Sequence, residues 1–126
     1  MKEIINAKKG VFIGDLCYVL SDNVYHNEWG DAHGYKDGHY KHDGKDYAMH
    51  GTGGDGCFFD TVNHISIGVD SGTIGICDLE LVEKHDDRFG IIINEGGDYI
   101  FEVDENNDFT VTKDNKIVSH INTLED

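Results

Sequence analysis

Three stretches of the chain set acidic, hydroxyl or thiol side chains beside glycines, and these are the places where chemistry could be done. The first is Gly14-Asp15-Leu16-Cys17-Tyr18, the second Gly51-Thr52-Gly53-Gly54-Asp55-Gly56, and the third Gly68-Val69-Asp70-Ser71-Gly72-Thr73-Ile74-Gly75-Ile76. In the first, Cys17 is a nucleophile only as a thiolate, which needs a nearby histidine to lower its pKa, and the sequence names none. A buried, inert thiol is the favoured reading. The second satisfies GxGxxG literally, yet Cys57-Phe58-Phe59-Asp60 follows as strand or loop where a dinucleotide fold requires a helix. A sharp turn is expected there in place of a Rossmann loop. Its backbone N–H groups could still form an anion-binding nest, with aromatic rings nearby to stack a base. In the third, Asp70, Ser71 and Thr73 break two apolar runs, either to line a pocket or to close an Asx- or Ser-type turn.

Metal chemistry has weaker support. Imidazole with carboxylate suits zinc, iron or nickel, and His26, Asp31, His33, His39, His42 and His50 crowd one region. The spacing defines no site, because there is no HExxH, and His26-Asn27-Glu28 lacks the CxxC that a zinc deaminase pairs with it. Solvated histidines are the better reading, and neither a metal nor another cofactor is expected. Asp104-Glu105-Asn106-Asn107-Asp108 begins like a calcium loop, but Phe109 stands where that loop needs Gly and Asn115 where it needs the bidentate Glu. An acidic hairpin turn accounts for it.

The elements that must position these residues are mostly strands. Ile65, Ile67 and Val69 alternate with polar neighbours, the two-residue period of a half-buried strand. Further strands are expected at Ile4-Ile5, Val11 to Ile13, Thr73 to Cys77, Leu79 to Val82, Phe89 to Asn94, Tyr99 to Val103, Phe109 to Thr112 and Lys116 to Ile121, each bounded by turn residues. Proline is absent, so Gly and Asp supply the punctuation. Asp43-Gly44 is the clearest hairpin and Glu105 to Asp108 another. One helix is expected from Ser21 as N-cap through Val24, Tyr25 and Trp29, closed by Gly30. Residues 30–56, rich in Gly, His, Asp and Tyr, read as a loop and hairpin excursion over a pocket. The fold class is therefore mainly β: an antiparallel meander in a sandwich or small barrel with one short α-helix.

A length of 126 residues fits a single domain, 1–126, with one core. Ten Lys and Arg against 25 Asp and Glu leave a formal charge of −15, a field that repels nucleic acid and anionic membrane. Neither is expected as a direct partner, and any phosphate would need a local cluster such as Lys36, Lys41 or Lys45. Cys17, Cys57 and Cys77 are an odd, scattered set that favours a reducing compartment. With no secretory pattern and no run of ~18 apolar residues, a cytoplasmic location is expected. Homo-oligomerisation is left open.

The chain resembles a family of small bacterial and phage proteins through three blocks: Val11 to Leu20 with its Gly-Asp-x-Cys-Tyr core, Gly51 to Gly56, and Val69 to Ile76. Relatives commonly read Gly-Asp-Pro-Cys-Tyr, whereas this chain has Leu16 at the proline position. The family brings no established activity. The resemblance implies that Asp15, Cys17, Tyr18, Asp55, Asp70 and Ser71 meet in space, and that a phage or mobile-element setting applies. With Gly53, Gly54 and Thr73 these make up the expected ligand-binding residues; no catalytic residue is assigned. The function expected is a non-catalytic protein that captures a small polar ligand of nucleotide type, as in sequestration during counter-defence. Two alternatives stand beside it: a small metal- or carboxylate-dependent hydrolase, and an acidic protein–protein inhibitor or DNA mimic.

Overall fold

A computed structural model describes residues 1–124. Its strands, in chain order, are β1 (Lys2–Ala7), β2 (Val11–Gly14), β3 (Gly38–His42), β4 (Lys45–Gly51), β5 (Gly56–Asp60), β6 (Ile65–Val69), β7 (Thr73–Asp78), β8 (Gly90–Ile93), β9 (Gly97–Val103), β10 (Asp108–Lys113) and β11 (Lys116–Asn122). Period-two alternation makes the first sheet, in the order β1-β9-β10-β11-β5-β6: Ile5 and Ala7, Tyr99, Phe101 and Val103, Phe109 and Val111, and Ile67 and Val69 all turn inward. That face packs against Val11, Ile13, Ala48, Ile74 and Ile76 of the second sheet, ordered β3-β4-β7-β2-β8. Every described pairing is antiparallel, and the two sheets form a sandwich without barrel closure.

The second sheet is covered on its other face as well. Phe12, Tyr47, Met49 and Cys77 point away from the sandwich and pack against Leu16, Val19, Val24, Tyr25 and Trp29. All of β2 and β7 is consequently buried, which is why their sequences read as unbroken apolar runs. The expected single core is thus two apolar layers back to back across one sheet.

Several expectations need correction. Only β9-β10-β11 is a meander; β1 and the β5–β6 hairpin flank it, and β2 separates β7 from β8. Leu79–Leu81 is a single 3-10 turn and no strand, because the Asp78 carboxylate accepts the Glu80 N–H at 2.9 Å and winds the chain there. Residues 30–56 are not an excursion: β4 lies between β3 and β7, with Tyr47, Ala48 and Met49 fully buried. The Asp43-Gly44 hairpin forms as expected, with φ of 50° and 76°, the two positive values that a type I′ turn demands.

The helix spans Asn23–Ala32, and Ser21 Oγ accepts the Val24 N–H at 3.3 Å. It is wound more widely than the expected α-helix, with His33 N–H reaching back five residues to the Glu28 carbonyl at 3.2 Å. Gly30 lies inside it and does not close it. A Cβ there would stand 2.4 Å from the Tyr35 ring, so glycine is what lets Tyr35 fold back onto the helix. Among the described residues no helix is long and apolar enough to cross a membrane.

Asp46, buried on β4, ties the layers together by accepting Asn6 N–H of β1 at 2.9 Å, Lys41 Nζ at 2.8 Å and the His39 ring at 3.0 Å. Burial alone would raise its pKa, but these donors outweigh it and hold the carboxyl below the ordinary value. A folded-state pKa below the unfolded one stabilises at pH above the usual Asp range, about 3.9, and that stability is lost as pH falls through the folded value. Asp46→Asn is therefore expected to lower stability at pH 7 and to flatten the loss below pH ~4, read as urea midpoints across an acid pH series.

Candidate functional site

The three glycine blocks meet at one end of the second sheet, where β2 and β4 finish and β7 begins. Asp15 is the joint. It is fully buried, and its carboxylate accepts the Asp70 N–H at 2.7 Å, the Ser71 N–H at 3.0 Å, the Ser71 hydroxyl at 2.7 Å and the Cys17 N–H at 3.1 Å. Four donors use the acceptor sites of a carboxylate, so Asp15 holds two turns together and offers nothing to a ligand. Ser71 is similarly engaged, its hydroxyl lying 2.8 Å from that of Thr73. The glycine loop is pinned to the same turn, since Thr52 N–H donates to the Gly72 carbonyl at 2.8 Å.

Within that loop the Thr52 hydroxyl donates to the Gly54 carbonyl, and the Thr52 carbonyl accepts from Thr123 Oγ1 at 3.1 Å and Asn107 Nδ2 at 3.2 Å. Gly53 at φ 89° and Gly54 at φ 151° carry the bend, and strand β5 follows directly, in keeping with a turn and not a Rossmann loop. Gly53, Gly54 and Asp55 line a shallow cleft of about 270 Å³ with Phe58 and Leu124. Asp55 is exposed on its rim.

Cys17 is half-buried, and its thiol is pushed far up, first by burial and then by Asp15, with the charges of Asp70 and Asp55 adding to it. It stays protonated and is no nucleophile. The charges of Asp15, Asp55 and Asp70 all act on that thiol, although Asp15 is buried and Asp55 and Asp70 reach solvent.

The outer surface of the joint is aromatic. Tyr18 donates its hydroxyl to Asp70, which pushes the phenol up to about 12, and its ring stacks on Phe89 at 3.6 Å and 8° between planes. Arg88, the only arginine in the chain, sits over the Phe89 ring at 5.4 Å and is held by Asp86, which takes Nε at 3.0 Å and Nη2 at 2.7 Å. Phe89 is fixed through its backbone: its carbonyl accepts the Asp15 N–H at 2.9 Å, and a Cβ on Gly14 would strike that oxygen at 2.1 Å. Sequence reasoning missed both residues. Their one signal is the lone guanidinium in an acidic chain.

The crowded histidines separate into individual partnerships. His39 bridges Glu3 and Asp46, His42 meets Glu28, His26 meets the Tyr35 hydroxyl, His33 stacks on Tyr40 and His50 meets the Gly51 carbonyl. Among the described residues no three His, Cys, Asp or Glu side chains are grouped to hold a metal. Lys41 is taken by Asp46 and Lys45 opens β4 at the far end from the joint, while Arg88 is the cation over the aromatic stack. No family model, curated protein or solved structure matches the chain.

Proposed function

We propose that the protein is a non-catalytic binding module that captures a small polar ligand carrying a planar base and an anionic group, a nucleotide-type signal, at the surface formed by Tyr18, Phe89, Arg88 and Asp70. The observation that supports this reading is the parallel Tyr18–Phe89 stack with a guanidinium over it. A base extends such a stack by its π-face, and Arg88 Nη1 lies outside the Asp86 contacts, ready for a phosphate. Asp70 uses one carboxylate oxygen on Tyr18 and has the other for a ligand amino or hydroxyl donor. Two groups that could serve catalysis are committed elsewhere, Asp15 to four hydrogen bonds and Cys17 to its thiol form. Capture without turnover suits sequestration, and the phage-like blocks suit a counter-defence setting.

Calorimetric titration with nucleoside monophosphates tests the reading. Phe89→Ala is expected to weaken binding by about tenfold or more, because the base stacks on Tyr18 and Phe89 is the ring that holds Tyr18 in place. Arg88→Met should weaken the nucleotide and spare the matching nucleoside. The nucleotide should be recovered unchanged after the protein is denatured. Conversion to product would replace capture with catalysis, and equal affinity in the Phe89→Ala variant would remove the aromatic surface from the account.

A further inference from the structure

A second cleft, of about 320 Å³, opens at the other end of β4, between the Asp43-Gly44 hairpin, the start of the helix and the segment that follows Asp78. It is about as large as the smaller pockets that take metabolites. Val24, Leu81 and Val82 give it an apolar part of its lining. The hairpin contributes His42, Asp43 and Lys45 to its lining, and the segment after Asp78 contributes Glu80 and Glu83.

His42 is held in a defined orientation. Its Nδ1 lies 3.0 Å from Glu28, which also accepts the hydroxyl of the fully buried Tyr47. Burial would raise the Glu28 pKa, yet the Tyr47 and His42 bonds bring it below the ordinary value, so Glu28 is an ionised acceptor and Nδ1 must be the donor. Nε2 is the ring nitrogen that Glu28 leaves free. It stands 3.6 Å from Asp43 Oδ2, a gap that one ammonium can bridge by donating to both. Lys45, two residues on, presents a cation beside these acceptors.

We propose that this cleft binds an α-amino acid with a cationic side chain, of the lysine or arginine class. The hairpin takes the head group, its ammonium between His42 Nε2 and Asp43 and its carboxylate on Lys45. The aliphatic stem lies along Val24, Leu81 and Val82. The distal cation reaches Glu80 and Glu83; among the described residues Glu80 is ion-paired to Lys9 at a long 3.9 Å and Glu83 is in no ion pair. This inference is independent of the nucleotide reading, since the two sites lie at opposite ends of β4.

Titrating the full chain with L-lysine, norleucine and cadaverine, followed by backbone amide NMR shifts, tests it. Lysine should bind, with shifts at Ser21, Val24, His42 and Val82. Norleucine, which lacks the distal charge, and cadaverine, which lacks the carboxylate, should each bind roughly tenfold more weakly, the effect of one charge-assisted contact. Lys45→Met should make lysine no better than cadaverine, and Glu83→Gln should narrow the lysine–norleucine gap; both residues reach solvent and leave the core intact. Absence of lysine binding at millimolar concentration, equal affinity for the three probes, or shifts confined to other regions would each overturn the proposal.

Discussion

Replacing Asp15 by alanine is expected to cost about 3–5 kcal/mol, because it strands a group of buried or half-buried donors at once. The carboxylate accepts two backbone N–H groups and a hydroxyl from Asp70 and Ser71, and a third N–H from Cys17, and Ser71 in turn positions Thr73. Thr73 cannot take over, since it is already engaged with Ser71. Asp15→Asn keeps the shape but turns an N–H₂ toward donors, so it should recover only part of the loss. Urea midpoints measure the stability. Loss of the near-ultraviolet dichroism of Tyr18 and Phe89 should accompany it, because Tyr18 is bonded to Asp70, whose turn the Asp15 carboxylate holds. An Asp15→Ala protein of near-normal stability would mean that the turns hold themselves.

Gly75→Ala is expected to destabilise by about 3 kcal/mol, through a different cause. Gly75 sits mid-strand in β7, opposite Gly14 on one side and Met49 on the other, where both faces of the sheet are covered. A Cβ there would lie 2.4 Å from the Ala48 carbonyl oxygen and 2.8 Å from Leu16 Cδ1. A side chain can swing away, but a strand carbonyl paired in a sheet cannot move without loosening the ladder. Gly44→Ala is the contrast, since its Cβ meets nothing within 4 Å and only the φ of 76° opposes it, for a cost of about 1 kcal/mol. Thermal midpoints of the two variants should differ accordingly. Similar midpoints would show that β4 and β7 yield more easily than their packing implies.

Much of the fold was legible because period-two alternation and positive-φ turn residues act locally. Tyr99, Phe101 and Val103 announce a half-buried strand, and Asp43-Gly44 announces a hairpin, whatever packs on them. What was illegible depends on distant partners. His39, Tyr40, His42 and Asp46 make residues 30–56 look like surface, yet Asp46 is buried because Lys41, His39 and Asn6 satisfy it, and Tyr47 because Glu28 does. Leu79 to Val82 has strand composition, but the Asp78 side chain captures the Glu80 N–H first. Gly30 reads as a helix end but instead makes room inside the helix for the Tyr35 ring.

The candidate site was legible in its parts and not in their roles. The family-like blocks drew attention to Asp15, Asp55 and Asp70, and spacing alone could not show that Asp15 would turn inward as a tie while Asp70 stays at the surface. Phe89 and Arg88 come from a loop far along the chain, and nothing in their local sequence marks them as neighbours of Tyr18. Composition does carry one clue, since a single arginine among 25 acidic residues has few reasons to be there other than a specific anion or an ion pair.

Native mass spectrometry of the protein purified from cells, followed by denaturation of the same sample, tests the central claim most directly. Capture at the joint predicts a folded species heavier than the chain by one small molecule, released intact on unfolding and absent from a Phe89→Ala preparation. A folded species at the mass of the chain alone, unshifted when nucleotides are added, would contradict it.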